Sequence, residues 1–154
     1  IIAIERRVGL RETVEGGRII NADVSSELLQ TIFWPNSPLH DMGVVIRDGR
    51  IVGAGVQFPL AEPFEMTDPR LGTRHRAAVG LTRVTDALVI VVSEETGGIS
   101  LAERGKLDRW LSPETLGEEI VKRLAAAAEG ALTSEDSPDE PVRNDAEGQK
   151  GEAA

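Results

Sequence analysis

The two histidines of the sequence, His40 and His75, both stand beside charged residues and are the first candidates for chemistry. His40 directly precedes Asp41, and His75 lies between Arg74 and Arg76. The chain contains no cysteine, which excludes thiolate metal ligands, thiol nucleophiles and disulfide bonds. The chemistry must therefore come from oxygen and nitrogen groups, which suit a divalent cation and a phosphate-like anion.

The segment from Gly72 to Arg76 has the composition of an anion site at the start of a helix. Arginines at a helix N-terminus oppose the helix dipole by roughly 0.3–1 kcal/mol each, and a bound anion would offset that cost. Gly72 and Thr73 precede the two arginines, so backbone amides, a hydroxyl and forked guanidinium donors are available to one ligand. We predict phosphate binding here. The alternative is that Arg74 and Arg76 are solvated surface residues.

A third polar cluster, Ser93 to Glu95, follows an apolar run that is typical of a buried strand. Taken alone it is an ordinary solvated loop, and His40 with Asp41 could be a polar pair at a turn. Together with Asp41, however, an acidic residue of this cluster could share Mg²⁺ or Mn²⁺ that bridges phosphates. Ligand sites of α/β folds collect at the ends of elements, so we predict that the three clusters converge.

The elements that must position these clusters alternate between strands and helices. The patterns predict a mixed central β-sheet flanked by helices, in one α/β domain over residues 1–130. The main elements are a strand at 1–5, a short helix capped by Ser25 or Ser26 and ended by Pro35, a hairpin through Asp48 and Gly49, a helix after Thr73, a buried strand at 87–93, a hairpin around Arg104 and Gly105, and a helix from Pro113 to about Ala128.

Residues 131–154 contain almost no large apolar side chain and are predicted to form a disordered acidic tail. The tail carries much of the net charge of −9, so the folded part is only mildly acidic and a nucleic acid polymer is not an expected partner. With 3% aromatic residues there is no basic-aromatic pattern for single strands. Four aromatic residues are instead predicted to be core or pocket wall: Phe33, Trp34, Phe58 and Phe64.

The segments PNSPLHDMGVVI, FPLAE and LGTRHRAAVGLTRVTDALVIVVSEETGGIS closely resemble the diadenylate cyclase domain, specifically its membrane-tethered bacterial type. The resemblance runs from residue 1 to about residue 124. It implies condensation of two ATP molecules into cyclic di-AMP with release of two pyrophosphates, a divalent metal cofactor (Mg²⁺ or Mn²⁺), and a homodimer of domains that meet face to face. It also implies a cytoplasmic domain, tethered to the membrane only through segments absent from this chain.

The resemblance also implies roles for particular residues. Asp41 matches the aspartate of the family's Asp-Gly-Ala motif and is the expected catalytic residue, which binds metal or activates the ribose hydroxyl. His40 and Glu95 match positions of metal coordination, together with Asp41. The expected substrate-binding residues are Met42, Gly43, Phe58, Gly72, Thr73, Arg74, His75, Arg76 and Ser93.

Two departures from the family pattern define the alternatives. Met42 stands where the family has glycine, which matters if that position needs a positive φ. The chain has no tyrosine to stack on adenine near Gln57, so Phe58 or Met42 would have to contact the base. The second hypothesis is therefore a non-catalytic module that senses ATP or cyclic di-AMP. A purely structural dimerisation domain is disfavoured, because the arginines around His75 would be costly without an anion.

Overall fold

A computed structural model describes residues 1–134 of the chain, and that part forms one layered α/β unit. Within it the strands are β1 (Ile2–Ile4), β2 (Arg18–Asp23), β3 (Gly43–Arg47), β4 (Arg50–Val56), β5 (Leu88–Val92), β6 (Ile99–Glu103) and β7 (Lys106–Leu111). The helices are α1 (Arg11–Glu15), α2 (Ser26–Ile32), α3 (Thr73–Val84) and α4 (Pro113–Ser134), with a 3-10 turn at Pro63–Glu65.

The strands form one seven-stranded sheet in the order β2-β4-β3-β1-β5-β6-β7. β1 pairs in parallel with β3, and the other neighbouring strands are antiparallel. The sheet is therefore mixed, as predicted. In this arrangement the first residues of β1 and β3 and the last residues of β5 lie at the same edge, because Ile2 pairs with both Val44 and Ile90.

Local turn chemistry explains both predicted hairpins. Asp48 and Gly49 have φ values of 49° and 72°, and Arg104 and Gly105 have φ values of 50° and 76°. Two consecutive residues with positive φ are the geometry of a type I′ turn, whose twist matches that of the flanking strands. Ser25 likewise caps α2 as predicted, because its side chain accepts a hydrogen bond from the amide of Leu28 at 3.1 Å.

The sheet has an apolar layer on each face. Because side chains alternate along a strand, Val45 contributes to the cluster with α3 and Val44 to the cluster with α2. The α3 cluster includes Leu81, and the α2 cluster includes Ile32. The sheet is thus held from both sides, so the loops at its edge project from a rigid support.

The last helix is longer than predicted. It continues past Ala128 to Ser134, the last described residue, because the alanine run before Gly130 has the highest helix propensity and one glycine costs only about 1 kcal/mol. The predicted domain boundary at 130 therefore falls inside α4. Residues 135–154 lie outside the described part, and the disordered tail stays a prediction there. No helix in residues 1–134 is long and apolar enough to cross a bilayer.

Of the four aromatic predictions, the one for Phe64 is wrong, and Trp34 is a pocket wall rather than part of the core. Phe58 is 4% exposed and Phe33 packs at the edge of the α2 cluster, as expected. Phe64 is 86% exposed on the 3-10 turn, and Trp34 is 65% exposed just after α2, where it lines an open surface cavity. Both follow or occupy turns that project from the core, and hydrophobicity alone does not report the direction of a side chain in such a turn.

Candidate functional site

Three adjoining cavities lie at the sheet edge where β1 and β3 begin, β5 ends and α3 begins. Their volumes are about 250, 310 and 360 Å³. Arg74 lines all three. In the same order, we call them the apolar cavity, the middle cavity and the polar cavity. The strand pairing brings distant parts of the sequence to this edge, and the predicted convergence of the three polar clusters is observed.

The apolar cavity brings the Asp41 segment against the start of α3. It is lined by Ile1, Asp41, Met42, Gly43, Val56, Gln57, Phe58, Leu60, Thr73, Arg74 and Ala77. Gly43 is required where it stands, because a Cβ atom there would lie 2.4 Å from the Phe58 ring. The Phe58 ring thus packs under the first residue of β3. Residues suited to an apolar ring and residues suited to phosphate share this one cavity.

Arg74 is paired with carboxylates in this structure. Its Nη2 lies 2.9 Å from Oε1 of Glu94 and 4.0 Å from Oδ1 of Asp41. The cost of a cation at the N-terminus of α3 is therefore offset by the chain's own acidic groups. Because Asp41 is 87% exposed and Glu94 is 54% exposed, both carboxylates remain accessible to a ligand.

His40 is oriented by the end of α2. Its Nδ1 lies 2.7 Å from the carbonyl oxygen of Phe33, which is the C-cap residue of α2. A carbonyl only accepts hydrogen bonds, so Nδ1 carries the proton and Nε2 faces Oε1 of Glu94 at 3.2 Å. A neutral Nε2 and a carboxylate both offer lone pairs, so this contact suits a proton or a metal cation between them.

The predicted metal ligands are only partly brought together. Carboxylate oxygens and an imidazole nitrogen fit Mn²⁺ or Mg²⁺ chemically. In the described residues, however, no group of three or more His, Asp or Glu side chains is arranged to hold a metal ion. Glu94, rather than the predicted Glu95, contacts His40, while Glu95 lines the polar cavity. The assignment of His40, Asp41 and Glu95 to a metal stays a prediction.

The residues around His75 do not share one surface. The His75 side chain is buried, with 7% exposure, and lines the polar cavity. Burial lowers the pKa of His75, with a smaller contribution from the nearby charge of Arg109, so the imidazole is neutral at pH 7. Arg76 points elsewhere: its Nε donates to the carbonyl of Ala61 at 2.8 Å, which ties the chain after β4 to α3.

Ser93 and Gly72 occupy the edges of the site. Ser93 lines the middle and polar cavities, and its hydroxyl accepts a hydrogen bond from the amide of Thr96 at 3.3 Å. Gly72 is the N-cap of α3 and makes no side-chain cap, so the first amides of the helix keep capacity for a ligand. Ser93 thus shapes the turn and Gly72 leaves the helix terminus open.

Sequence reasoning missed two residues of the site, Glu94 and Arg109. Glu94 is the central carboxylate, in contact with both Arg74 and His40. Two adjacent glutamates look alike in a sequence, and only the turn after β5 decides which one faces inward. Arg109 lies on β7 and lines the polar cavity beside Arg74. Nothing in the local pattern around Arg109 indicates this, because its position depends on the pairing of β7 with β6.

Met42 has a strained backbone, with φ at 67°. This conformation costs a residue with a side chain about 1 kcal/mol more than it costs glycine. We therefore expect Met42→Gly to raise the free energy of unfolding by about 1 kcal/mol, less any packing lost, since the Met42 side chain is 51% exposed. Urea denaturation of both proteins measures this difference. A clear loss of stability would show that packing of the methionine outweighs the strain.

Comparison with known proteins places this chain among bacterial nucleotide-binding domains. The family model described as DAC, DisA bacterial checkpoint controller nucleotide-binding, matches residues 1–107. The cyclic di-AMP synthase CdaA of Bacillus subtilis is 51% identical over 119 residues, which are 77% of this chain and 43% of that protein. A diadenylate cyclase of Listeria monocytogenes is 47% identical over 125 residues, 80% of this chain and 45% of that protein.

Solved structures agree with this assignment. The crystal structure of a double mutant of DacA from Staphylococcus aureus superposes with a TM-score of 0.76 at 41% identity, over 80% of this chain and 81% of that one. A hypothetical membrane spanning protein from Bacillus cereus gives a TM-score of 0.68 at 44% identity, over 72% of this chain and 54% of that one. The chain spans less than half the length of the two curated relatives described above. On the family match, the sequence identities and the shared fold, the chain belongs to the diadenylate cyclase domain family.

Proposed function

We propose that this domain condenses two ATP molecules into one cyclic di-AMP and releases two pyrophosphates. The observation that carries the proposal is that Asp41 lines one cavity with Thr73 and Arg74, although the two segments are far apart in the sequence. An acid or base, a hydroxyl and a guanidinium are the groups that a phosphoryl transfer to a ribose hydroxyl requires. The names of the relatives, diadenylate cyclase and cyclic di-AMP synthase, support the same activity.

The proposed roles follow from position. Asp41 stands exposed at the cavity mouth, where its carboxylate can accept the proton of a 3′-hydroxyl or help to bind metal. Arg74, Thr73 and the free amides at the start of α3 donate to phosphate oxygens and stabilise the charge of the transition state. The apolar wall with Phe58 accepts the adenine ring. Met42 and Leu60, each about half exposed, line the same cavity and would lie beside the adenine ring.

We propose that the metal is Mg²⁺ or Mn²⁺, held by His40, Asp41 and an acidic residue of the turn after β5. When bound, it would neutralise phosphate charge and make the 3′-hydroxyl more acidic. The contact between Phe33 and Nδ1 of His40 supports this role, because it leaves Nε2 as the only nitrogen free to ligate.

We further propose that two domains act as a face-to-face homodimer. Each ATP must present its 3′-hydroxyl to the α-phosphate of the other, and a two-fold axis gives both new bonds the same geometry. The open mouth of the apolar cavity, with exposed Met42 and Asp41, supports a partner on this side. One solved structure that this chain resembles is described as a membrane spanning protein. We propose that the whole protein is likewise attached to the membrane by segments outside this chain, with this domain in the cytoplasm.

The function is tested by incubating the purified protein with ATP and Mg²⁺ or Mn²⁺ and following products by chromatography and mass spectrometry. We expect cyclic di-AMP and pyrophosphate in a 1:2 ratio. Specific activity should rise with protein concentration until the dimer saturates. ATP binding without product at any concentration would contradict the cyclase and support the second candidate function.

That second candidate is a non-catalytic module that senses ATP or cyclic di-AMP, and the strained Met42 is the observation that favours it. The methionine side chain narrows the cavity beside the proposed catalytic aspartate. If the parent protein forms no cyclic di-AMP and Met42→Gly does, the module has lost catalysis through the methionine. If both proteins are equally active, the methionine is tolerated.

Arg74→Ala is expected to abolish measurable ATP binding. Loss of a guanidinium that borders all three cavities removes a charge-assisted contact and leaves Glu94 unpaired beside the incoming phosphates. Isothermal titration with ATP measures the effect, and Arg74→Lys should retain part of the affinity because it keeps the charge without the fork. Unaltered affinity of the alanine variant would remove Arg74 from the phosphate site.

A further inference from the structure

We propose that Arg109, on β7, is a phosphate-binding residue that contacts the two terminal phosphates of ATP and the departing pyrophosphate. This inference rests on the proposed cyclase function and extends it to a strand that no sequence motif includes. The polar cavity, of about 360 Å³, shares Thr73 and Arg74 with the apolar cavity. A nucleotide whose base lies in the apolar cavity and whose α-phosphate lies at Arg74 therefore extends its remaining phosphates into the polar cavity.

The polar cavity has cationic groups on two sides. Arg74 stands at the start of α3, and Arg109 reaches in from β7 with its side chain 32% exposed. The Arg109 guanidinium is held in place, with Nη1 3.6 Å from Oδ2 of Asp68 and the Trp110 ring centroid 5.1 Å away. Asp68 also pairs with Arg70 at 3.0 Å, so this one carboxylate is shared between two guanidinium groups.

His75 adds a further donor to the wall of the polar cavity. The residue is 7% exposed, and within residues 1–134 no fully buried side-chain nitrogen or oxygen lacks a hydrogen-bond partner, so the ring nitrogens are not orphaned. The ring lines the polar cavity, and a neutral imidazole there can donate its one N–H to a phosphate oxygen.

The carboxylates of the cavity do not block this arrangement. Glu94 and Glu95 are both exposed, whereas His75 lies inside and Arg74 and Arg109 are about one-third exposed. Glu94 is already paired with Arg74. The acidic groups thus stand at the rim of the cavity, and the buried wall presents donors.

The chemistry explains why a cation is useful at this place. When the 3′-oxygen of one nucleotide bonds to the α-phosphorus of the other, the bridging P–O bond between the α- and β-phosphates breaks. Its electron pair stays on the pyrophosphate, and the hydroxyl proton passes to Asp41 and then to solvent. Negative charge therefore grows on the β-phosphate oxygen, and a guanidinium beside the terminal phosphates stabilises that charge.

The test compares ATP with AMP, which lacks the terminal phosphates. In isothermal titration we expect Arg109→Gln to weaken ATP binding by about 10-fold or more and to leave AMP binding unchanged, since a charge-assisted contact is lost. The affinity for inorganic pyrophosphate should fall in parallel with the affinity for ATP. The ATP affinity of Arg109→Lys, which keeps the charge, should lie between the affinities of the parent and of Arg109→Gln. This variant also guards against a folding defect in the glutamine variant. Lys106→Gln removes a cation that lies on the same strand but outside the cavity, and it should leave the affinities for ATP, AMP and pyrophosphate unchanged.

Each other outcome overturns the proposal in a distinct way. Equal ATP affinity in the parent and Arg109→Gln, with cyclic di-AMP still formed, would reject Arg109 and leave the cyclase function standing. An equal loss of ATP and AMP affinity would show a structural role for Arg109. If the parent protein binds neither nucleotide, the proposed function fails together with this inference.

Discussion

Asp41→Asn is expected to lower cyclic di-AMP formation by at least about 100-fold while the fold is unchanged. Asparagine has the same shape as aspartate but can neither accept a hydroxyl proton nor carry the charge that holds a metal. The Asp41 side chain is 87% exposed and lies 4.0 Å from its nearest cation, Arg74, so its loss should alter the free energy of unfolding by less than about 0.5 kcal/mol. The measurements are product formation by chromatography and thermal unfolding by circular dichroism.

Asp48→Asn is the matched control for this experiment. Asp48 is exposed at the first position of the β3–β4 turn, with φ at 49°, and asparagine adopts this positive φ as readily as aspartate. Both substitutions remove one carboxylate from the same hairpin region, but only Asp41 borders the cavity. Full activity of Asp41→Asn, or an equal loss in Asp48→Asn, would remove Asp41 from the catalytic role.

Gly80→Ala is expected to be strongly destabilising, by about 3 kcal/mol, although alanine is the better helix former. A Cβ atom at Gly80 would lie 2.1 Å from the carbonyl oxygen of Pro59 and 2.8 Å from the amide nitrogen of Ala61. Both neighbours are backbone atoms, so the clash cannot be relieved by a side-chain rotation. Helix α3 and the segment after β4 would have to separate.

Alanine at Gly117 should have the opposite effect on the free energy of unfolding. Gly117 lies in α4 with open space around its Cβ position, so alanine there should raise the free energy of unfolding by about 0.5–1 kcal/mol. Urea denaturation of both variants provides the comparison. Leu60, beside the Pro59 clash, lines the apolar cavity, so any folded Gly80→Ala protein should also bind ATP more weakly. Equal stability of the two variants would show that α3 is not closely packed against this segment.

Much of the fold was predictable because its signals are local. Asp48-Gly49 predicts a type I′ hairpin because both residues tolerate positive φ, and Ser25 predicts a helix start because a hydroxyl can cap the next amides. The continuation of α4 past Ala128 was not predicted, because the single Gly130 after the alanine run resembles a stop signal but is a weak one. The short helix α1 and strand β2 were missed, since five or six residues show little periodicity.

Within the site, the sequence identified the clusters but not the direction of each side chain. Arg74 and Arg76 are two residues apart on α3, which turns about 100° per residue, so they cannot face the same cavity. The structure shows that Arg74 borders the three cavities and Arg76 binds the carbonyl of Ala61. Composition gives both arginines the same prediction, and only the docking of α3 on the sheet separates them.

The sequence by itself determined the family, the element types and the residues able to do chemistry, because these depend on local pattern and on the kinds of side chain present. Tertiary structure alone decided that Glu94 faces Arg74 and His40, that His75 is buried beside the polar cavity, and that Arg109 joins the site from β7. These contacts link residues far apart in the chain. They arise from strand order and helix docking, which depend on the packing of the whole core.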